Sequence, residues 1–213
     1  MELTLIYTIV GFGLAGWSVI GNDSVQTLGT FIASKQKWFR WYTLASAASA
    51  VMIIVITYSF IKYNGDISYE RLTRIPYQEI RWYHAVAPGI LLLLTRMGIP
   101  VSTTFLVLSS FASTVVLEQI LIKSTVGYSV AAITAYICWL GISKFINEKF
   151  DEVTVKWKIA FWRNAVWVTS GFLWCQWLIQ DSANFAVYLP RQLDVTLLLF
   201  VLAYITILLF YIF

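Results

Sequence analysis

Two segments of this chain place a carboxylate inside otherwise apolar text. Asn22-Asp23-Ser24-Val25-Gln26 closes the uncharged run 3–20, and Gln180-Asp181-Ser182-Ala183-Asn184 closes the run 164–179. Both read amide, Asp, Ser, small apolar residue, amide, at an offset of 158 residues, and both follow a tryptophan, Trp17 or Trp177. A charged side chain at the centre of a membrane helix costs about 2.5–3.5 kcal/mol on insertion scales, so its presence there asks for a function. A single Asp would serve equally as a helix cap at the interface; a matched pair reads as two halves of one site. An ionised Asp only accepts hydrogen bonds, which makes Asp23 and Asp181 candidates to hold Na⁺ or to carry a proton. The amides of Asn22, Gln26, Gln180 and Asn184 can donate to a bound substrate.

A third polar segment is Arg96-Met97-Gly98-Ile99-Pro100-Val101-Ser102-Thr103-Thr104. Glycine tolerates a sharp turn, and the residue before a proline is pushed out of the helical region, so the chain is expected to turn at 98–100. Ser102, Thr103 and Thr104 then offer hydroxyls and consecutive backbone N–H groups at the start of a helix. That arrangement suits an oxyanion, and it suits an ordinary N-cap as well. Non-helical backbone at membrane depth survives only where protein or a water-filled cavity satisfies it. Both 21–30 and 96–104 are therefore expected to interrupt helices at a buried polar site.

The elements that must position these residues are set by composition. Of 213 residues, 59% are hydrophobic and 12% charged, with 10 Trp, 12 Tyr and 14 Phe and a mean hydropathy of +0.74. About a quarter of a soluble domain is charged; at half that level the chain cannot be a soluble enzyme, a disordered segment or a nucleic-acid-binding domain. The net charge of +4 is scattered, which fits membrane flanks and gives no nucleic-acid footprint. Cys138 and Cys175 lie in apolar runs, and with one histidine, His84, a His-based metal cluster is impossible. The chain reads as an all-α integral membrane protein.

A helix needs about 20 apolar residues to cross the bilayer. Runs of suitable length are 3–20, 41–61, 124–143, 164–179 and 195–213. The first has no basic n-region or small-residue cleavage site and is expected to be a retained span. The stretch 85–95 would span only about 17 Å, too little to cross. Residues 85–117 are therefore expected to form a re-entrant hairpin, with a short helix in, a turn, and a longer helix out; a full span over 97–117 is the alternative, and it would make the two Asp copies parallel. The charged stretch 65–81 is expected to be a solvated or interfacial helix. With the hairpin re-entrant, three crossings separate Asp23 from Asp181, so the two copies enter from opposite sides, as in inverted-repeat transporters. One membrane domain results: a first repeat at 1–146, a cytoplasmic loop at 147–163, and the start of a second repeat at 164–213. Eight Lys and Arg on one side against six on the other favour an external N-terminus.

These residues resemble one family. Gly-Asn-Asp-Ser-Val-Gln-Thr-Leu-Gly-Thr at 21–30 resembles the Gly-Ala-Asn-Asp-Val-Ala-Asn signature of the inorganic phosphate transporter (PiT) family. Gly98-Ile99-Pro100-Val101-Ser102-Thr103-Thr104 is similar to its Gly-Leu-Pro-Val-Ser-Thr-Thr-His hairpin motif, and 180–184 to its second Asn-Asp copy. The resemblance covers the layout of the whole chain and about 20 residues in detail. It implies two inverted repeats, each with a broken helix and a hairpin, in a multi-pass protein of the cell (plasma or inner) membrane. It implies symport of inorganic phosphate with Na⁺ or H⁺, no further cofactor, and a homodimer. Sulfate or another oxyanion is the alternative substrate, and a non-transporting half-transporter that partners another membrane chain is the alternative role.

Three features depart from the family pattern. Phe105 stands where the family has histidine, Gln26 and Gln180 replace asparagines, and no second Ser-Thr-Thr hairpin precedes Phe213, so the chain is expected to be truncated. Among lesser candidates, Ser109, Ser110 and Ser113 are expected to serve helix packing, and Arg96 to snorkel to the interface. Glu118 and His84 are expected at the interface, with a third cation ligand as the alternative role for Glu118. No nucleophile–base set or nucleotide loop is present, so enzyme chemistry has no support.

Overall fold

The computed structural model describes residues 2–99, 101–146 and 156–213. Seven helices follow in order: α1 (Glu2–Lys35), α2 (Trp41–Lys62), α3 (Trp82–Arg96), α4 (Thr103–Leu108), α5 (Thr114–Ile146), α6 (Lys156–Ala186) and α7 (Val195–Ile212). Single 3₁₀ turns occur at Arg71–Arg74 and Ser109–Phe111, and no strand occurs among the described residues. Helices α1, α2, α5 and α7 are long and apolar enough to cross a membrane, which marks a membrane protein. Helix α6 has 31 residues but carries Arg163, Asn164, Gln176, Gln180, Asp181 and Asn184 and is less apolar.

The first correction concerns the broken helices. Residues 21–30 do not interrupt α1, which runs unbroken for 34 residues, about 51 Å. Residues 180–184 likewise continue α6 to Ala186. The polar side chains are satisfied without releasing the backbone: Ser24 Oγ donates to Gly21 O at 3.3 Å, and Gln26 Nε2 to Asn22 Oδ1 at 3.0 Å. A polar run is no helix breaker when each side chain finds a partner on its own face or across an interface.

A second correction concerns the loops. Of the expected loop 147–163, residues 147–155 lie outside the described residues, and 156–163 open α6; no Gly or Pro stands there to stop a helix. The stretch 65–81 is irregular, with one 3₁₀ turn, and turns Ile67, Leu72, Ile75 and Ile80 into the core. Gly65, at φ +96°, pins it: Leu193 N–H donates to Gly65 O at 2.9 Å, and a Cβ would sit 2.8 Å from Leu193 O. Tyr69 OH donates to Val55 O at 2.7 Å, and burial pushes its phenol up to about 12, so this tie survives alkaline pH.

The hairpin is present with different proportions. Its inward leg, α3, begins at Trp82 and contains Pro88; its outward leg is only α4 and the Ser109–Phe111 turn. Ala112 is extended, and 114–117 belong to α5, so no long outward helix exists. Pro100 lies outside the described residues; Gly98, at φ +73°, supplies the left-handed turn. Proline lacks an N–H, so the carbonyl four residues before it loses its helical donor. Here that carbonyl is His84 O, and Tyr188 OH takes the vacant place at 2.6 Å. Tyr188→Phe therefore leaves a buried carbonyl unpaired. A loss of about 1–3 kcal/mol is expected, read as a lower thermal midpoint in detergent.

α1 is the hub, packing against α3, α4, α6 and α7, while α2 packs against α6 and α7. Ala15, Val19, Met52, Ile56, Val201, Ile205 and Leu209 form the centre, each at most 1% exposed. In a bilayer, helices associate through close packing and interhelical hydrogen bonds. α1 carries Gly11, Gly13, Ala15 and Gly16 where it meets its neighbours, and Tyr204 of α7 donates to Gly13 O at 2.6 Å. Phe31 meets Trp167 while Asp23 meets Asp181, so α1 and α6 run antiparallel. α5 buries none of its apolar window.

Candidate functional site

Three elements distant in sequence converge on one buried polar cluster. Helix α1 brings Asn22 and Asp23, helix α6 brings Asp181 and Asn184, and the hairpin brings Thr103 and Thr104 at the start of α4. Asn22, Asp23, Thr103, Asp181 and Asn184 are all 5% exposed or less. The two carboxylates lie within side-chain hydrogen-bonding reach of each other. Thr104 Oγ1 donates to Asp181 Oδ1 at 3.0 Å. Asn184 Nδ2 reaches Asp181 Oδ1 at 3.1 Å and Thr103 Oγ1 at 3.0 Å, with Thr104 Oγ1 at 3.3 Å. Across the cluster, Asn22 Nδ2 donates to Val101 O at 3.2 Å and to Asp23 Oδ1 at 3.3 Å.

The remaining predicted residues stand elsewhere. Ser102 Oγ accepts from Phe105 N at 3.2 Å and caps α4, outside the cluster. Gln26 is exposed and acts through Asn22, whose Oδ1 it bonds. Gln180 is exposed. The two copies thus present different amides: the first its leading Asn22, the second its trailing Asn184. The two amides of each motif are four residues apart, on one face of their helix and one turn apart along its axis. Because α1 and α6 run antiparallel, the leading amide of one and the trailing amide of the other both lie toward the hairpin, where Asn22 meets Val101 O and Asn184 meets Thr103.

After these bonds are made, the cluster retains Asp181 Oδ2, Asn184 Oδ1 and Ser182 Oγ without partners. The first two only accept. Two neighbouring buried carboxylates with further free acceptors repel one another unless a proton or a cation joins them. Among the described residues no three His, Cys, Asp or Glu side chains come together. The oxygens present are carboxylate, amide and hydroxyl, a set that suits a hard cation.

His84 is the residue that sequence reasoning misplaced. Expected at the interface, it is 0% exposed, sandwiched where α3 begins. The one available signal was its spacing four residues before Pro88. Trp174, 1% exposed and bonded to Ala48 O at 3.1 Å, gave no sequence signal among ten tryptophans. No family model, curated protein or solved structure matches this chain.

Proposed function

We propose that this chain is a secondary transporter of the inorganic phosphate transporter type, coupling Na⁺ or H⁺ to symport of inorganic phosphate. One observation carries the reading: two Asp motifs 158 residues apart and the hairpin's threonine pair meet in a single buried cluster. The antiparallel run of α1 and α6 supports two inverted repeats, the first at 1–146 and the second opening with α6 and α7.

In this reading the cation or proton enters first, because the uncommitted atoms of the cluster are acceptors. Asp23 and Asp181 repel an anion until that charge is offset. Cation binding at Asp181 competes for Oδ1 and frees the Thr104 hydroxyl and the Asn184 NH₂ to donate to a phosphate oxygen. Coupling follows because the donors needed by the anion are held by the carboxylate that binds the cation.

The test is uptake of radiolabelled phosphate by proteoliposomes under an inward Na⁺ gradient, and separately under an acid-outside gradient. Uptake under one of them, competed more strongly by unlabelled phosphate than by sulfate, is expected. Stronger competition by sulfate assigns the site to sulfate. Absence of uptake of either anion under both gradients overturns the transport reading.

A further inference from the structure

The turn joining α1 to α2 reads Lys35-Gln36-Lys37-Trp38-Phe39-Arg40-Trp41-Tyr42, three cations among four aromatic residues. No Asp or Glu occurs between Asp23 and Asp66 to offset them. The opposite end of α2, 22 residues on and so about 33 Å away, differs. There Asp66, Glu70 and Glu79 are interspersed among the basic residues of 62–81. Lys37 and Arg40 are exposed, and Trp38 is 83% exposed. Arg40 Nη1 donates to Tyr42 OH at 3.2 Å.

A fourth cation joins this turn from the hairpin. Arg96, exposed at the end of α3, stands over the Trp17 ring at 5.4 Å, and no Asp or Glu occurs between Arg81 and Glu118. Helix α7 fixes the relative depth of the two groups. Its Phe210 meets Trp41 at 6.0 Å, and the next residue, Tyr211, meets Trp17 at 5.8 Å. Adjacent residues on a helix differ by about 1.5 Å in height, so Trp17 with Arg96 and Trp41 with Arg40 lie at nearly one depth. Arg96 also lines an open cleft of about 430 Å³ between α1, α3 and α7, walled by Trp17, Val25, Leu92 and Tyr211.

We propose that this belt is a binding surface for anionic phospholipid, in which Arg40 and Arg96 take headgroup phosphates and the cleft takes an acyl chain. Tryptophan and tyrosine rings settle at the headgroup level of a bilayer, which places both arginines among the phosphates. The guanidinium fork matches two phosphate oxygens at once. Each basic residue at an anionic surface contributes about a fivefold preference for the charged lipid. The ligand must carry its charge on hydrocarbon, because Arg96 sits at the edge of apolar walls that a small anion leaves empty. A zwitterionic headgroup brings its own cation, which opposes the four basic side chains. Arg96 immediately precedes the turn at Gly98, so the bound lipid grips the hairpin at its tip, outside the polar cluster.

This surface does not depend on the transport reading, and its test needs no substrate. Native mass spectrometry of the full chain in neutral detergent, titrated separately with phosphatidylglycerol and phosphatidylcholine, measures it. The first phosphatidylglycerol is expected to bind about fivefold tighter or more, and equimolar inorganic phosphate is expected to leave it bound. The double variant Arg40→Gln/Arg96→Gln is expected to lose most of that preference at an unchanged thermal midpoint. Should the pair fail to fold, Arg40→Gln alone, a change in an exposed turn, is expected to lower the preference several-fold. Arg71→Gln/Arg74→Gln, exposed at the other end of α2, is expected to keep it. Equal binding of the two lipids overturns the inference, as does displacement of the lipid by inorganic phosphate. It is equally overturned if the folded Arg40 and Arg96 variants keep the preference, or if Arg71→Gln/Arg74→Gln removes it.

Discussion

Asp181→Asn is expected to lower cation-driven phosphate uptake about 100-fold, Asp23→Asn to do the same, and the double variant to fall no further. Both carboxylates are buried and within reach of one another, and in the proposed reading each acts on a cation shared with the other. A buried cation that loses one of its carboxylate partners loses about 3 kcal/mol, which is about 100-fold in rate. Once one carboxylate is gone the site no longer holds the cation, and the second loss has nothing left to remove; groups acting as a unit are non-additive in this way. Initial uptake rates in proteoliposomes at matched protein density measure it. Independent, multiplying losses would mean two separate sites, and wild-type uptake by either single variant would sink the shared-site reading.

Trp174→Ala is expected to cost about 3–5 kcal/mol, far more than Trp174→Phe at about 1 kcal/mol. Trp174 is buried between α6 and α2 and donates from Nε1 to Ala48 O at 3.1 Å. Alanine would remove both the bond and the packed volume; phenylalanine keeps most of the volume. In lipid the transfer part of the loss shrinks, because the surroundings are also apolar, and the packing part stays. For a chain of this size that corresponds to a fall of about 10 °C in the thermal midpoint. Detergent-solubilised unfolding followed by intrinsic fluorescence checks the order wild type, Phe, Ala. An alanine variant that melts with the wild type would show that α2 and α6 do not meet at this residue. Trp174 also lies two turns before Asp181, so its loss is expected to loosen the polar cluster.

How much was legible can be argued residue by residue. The pairing of Asp23 with Asp181 was readable because an ionisable pattern repeated inside apolar text leaves few innocent explanations. The hairpin was readable because Gly98 and Pro100 punctuate a stretch too short to span. The polarity of 21–30 suggests a break in α1 that the structure does not contain. Asn22, Ser24 and Gln26 are instead satisfied by one another, by Gly21 O and by Val101 O, and the last partner lies 79 residues away. The stretch 65–81 reads as a solvated or interfacial helix, since its charges mask a separate set of apolar residues that fold inward. His84 was placed at the interface because Ser110 O, 26 residues on, is invisible from its neighbours.

Composition and run length by themselves determined that the chain is helical, that its helices suit a membrane, and that a few polar residues are worth explaining. These follow from the solvent, since a bilayer admits long apolar helices and penalises every unpaired polar group. Which polar groups pair was decided by the tertiary structure alone. Asn22 and Asn184 meet the hairpin while Gln180 is exposed, although the two motifs are nearly the same text, because α1 and α6 run antiparallel and so turn opposite ends of the motif toward the hairpin. The same holds for Tyr188 and His84: Pro88 leaves a carbonyl bare, and only the fold names the hydroxyl that meets it.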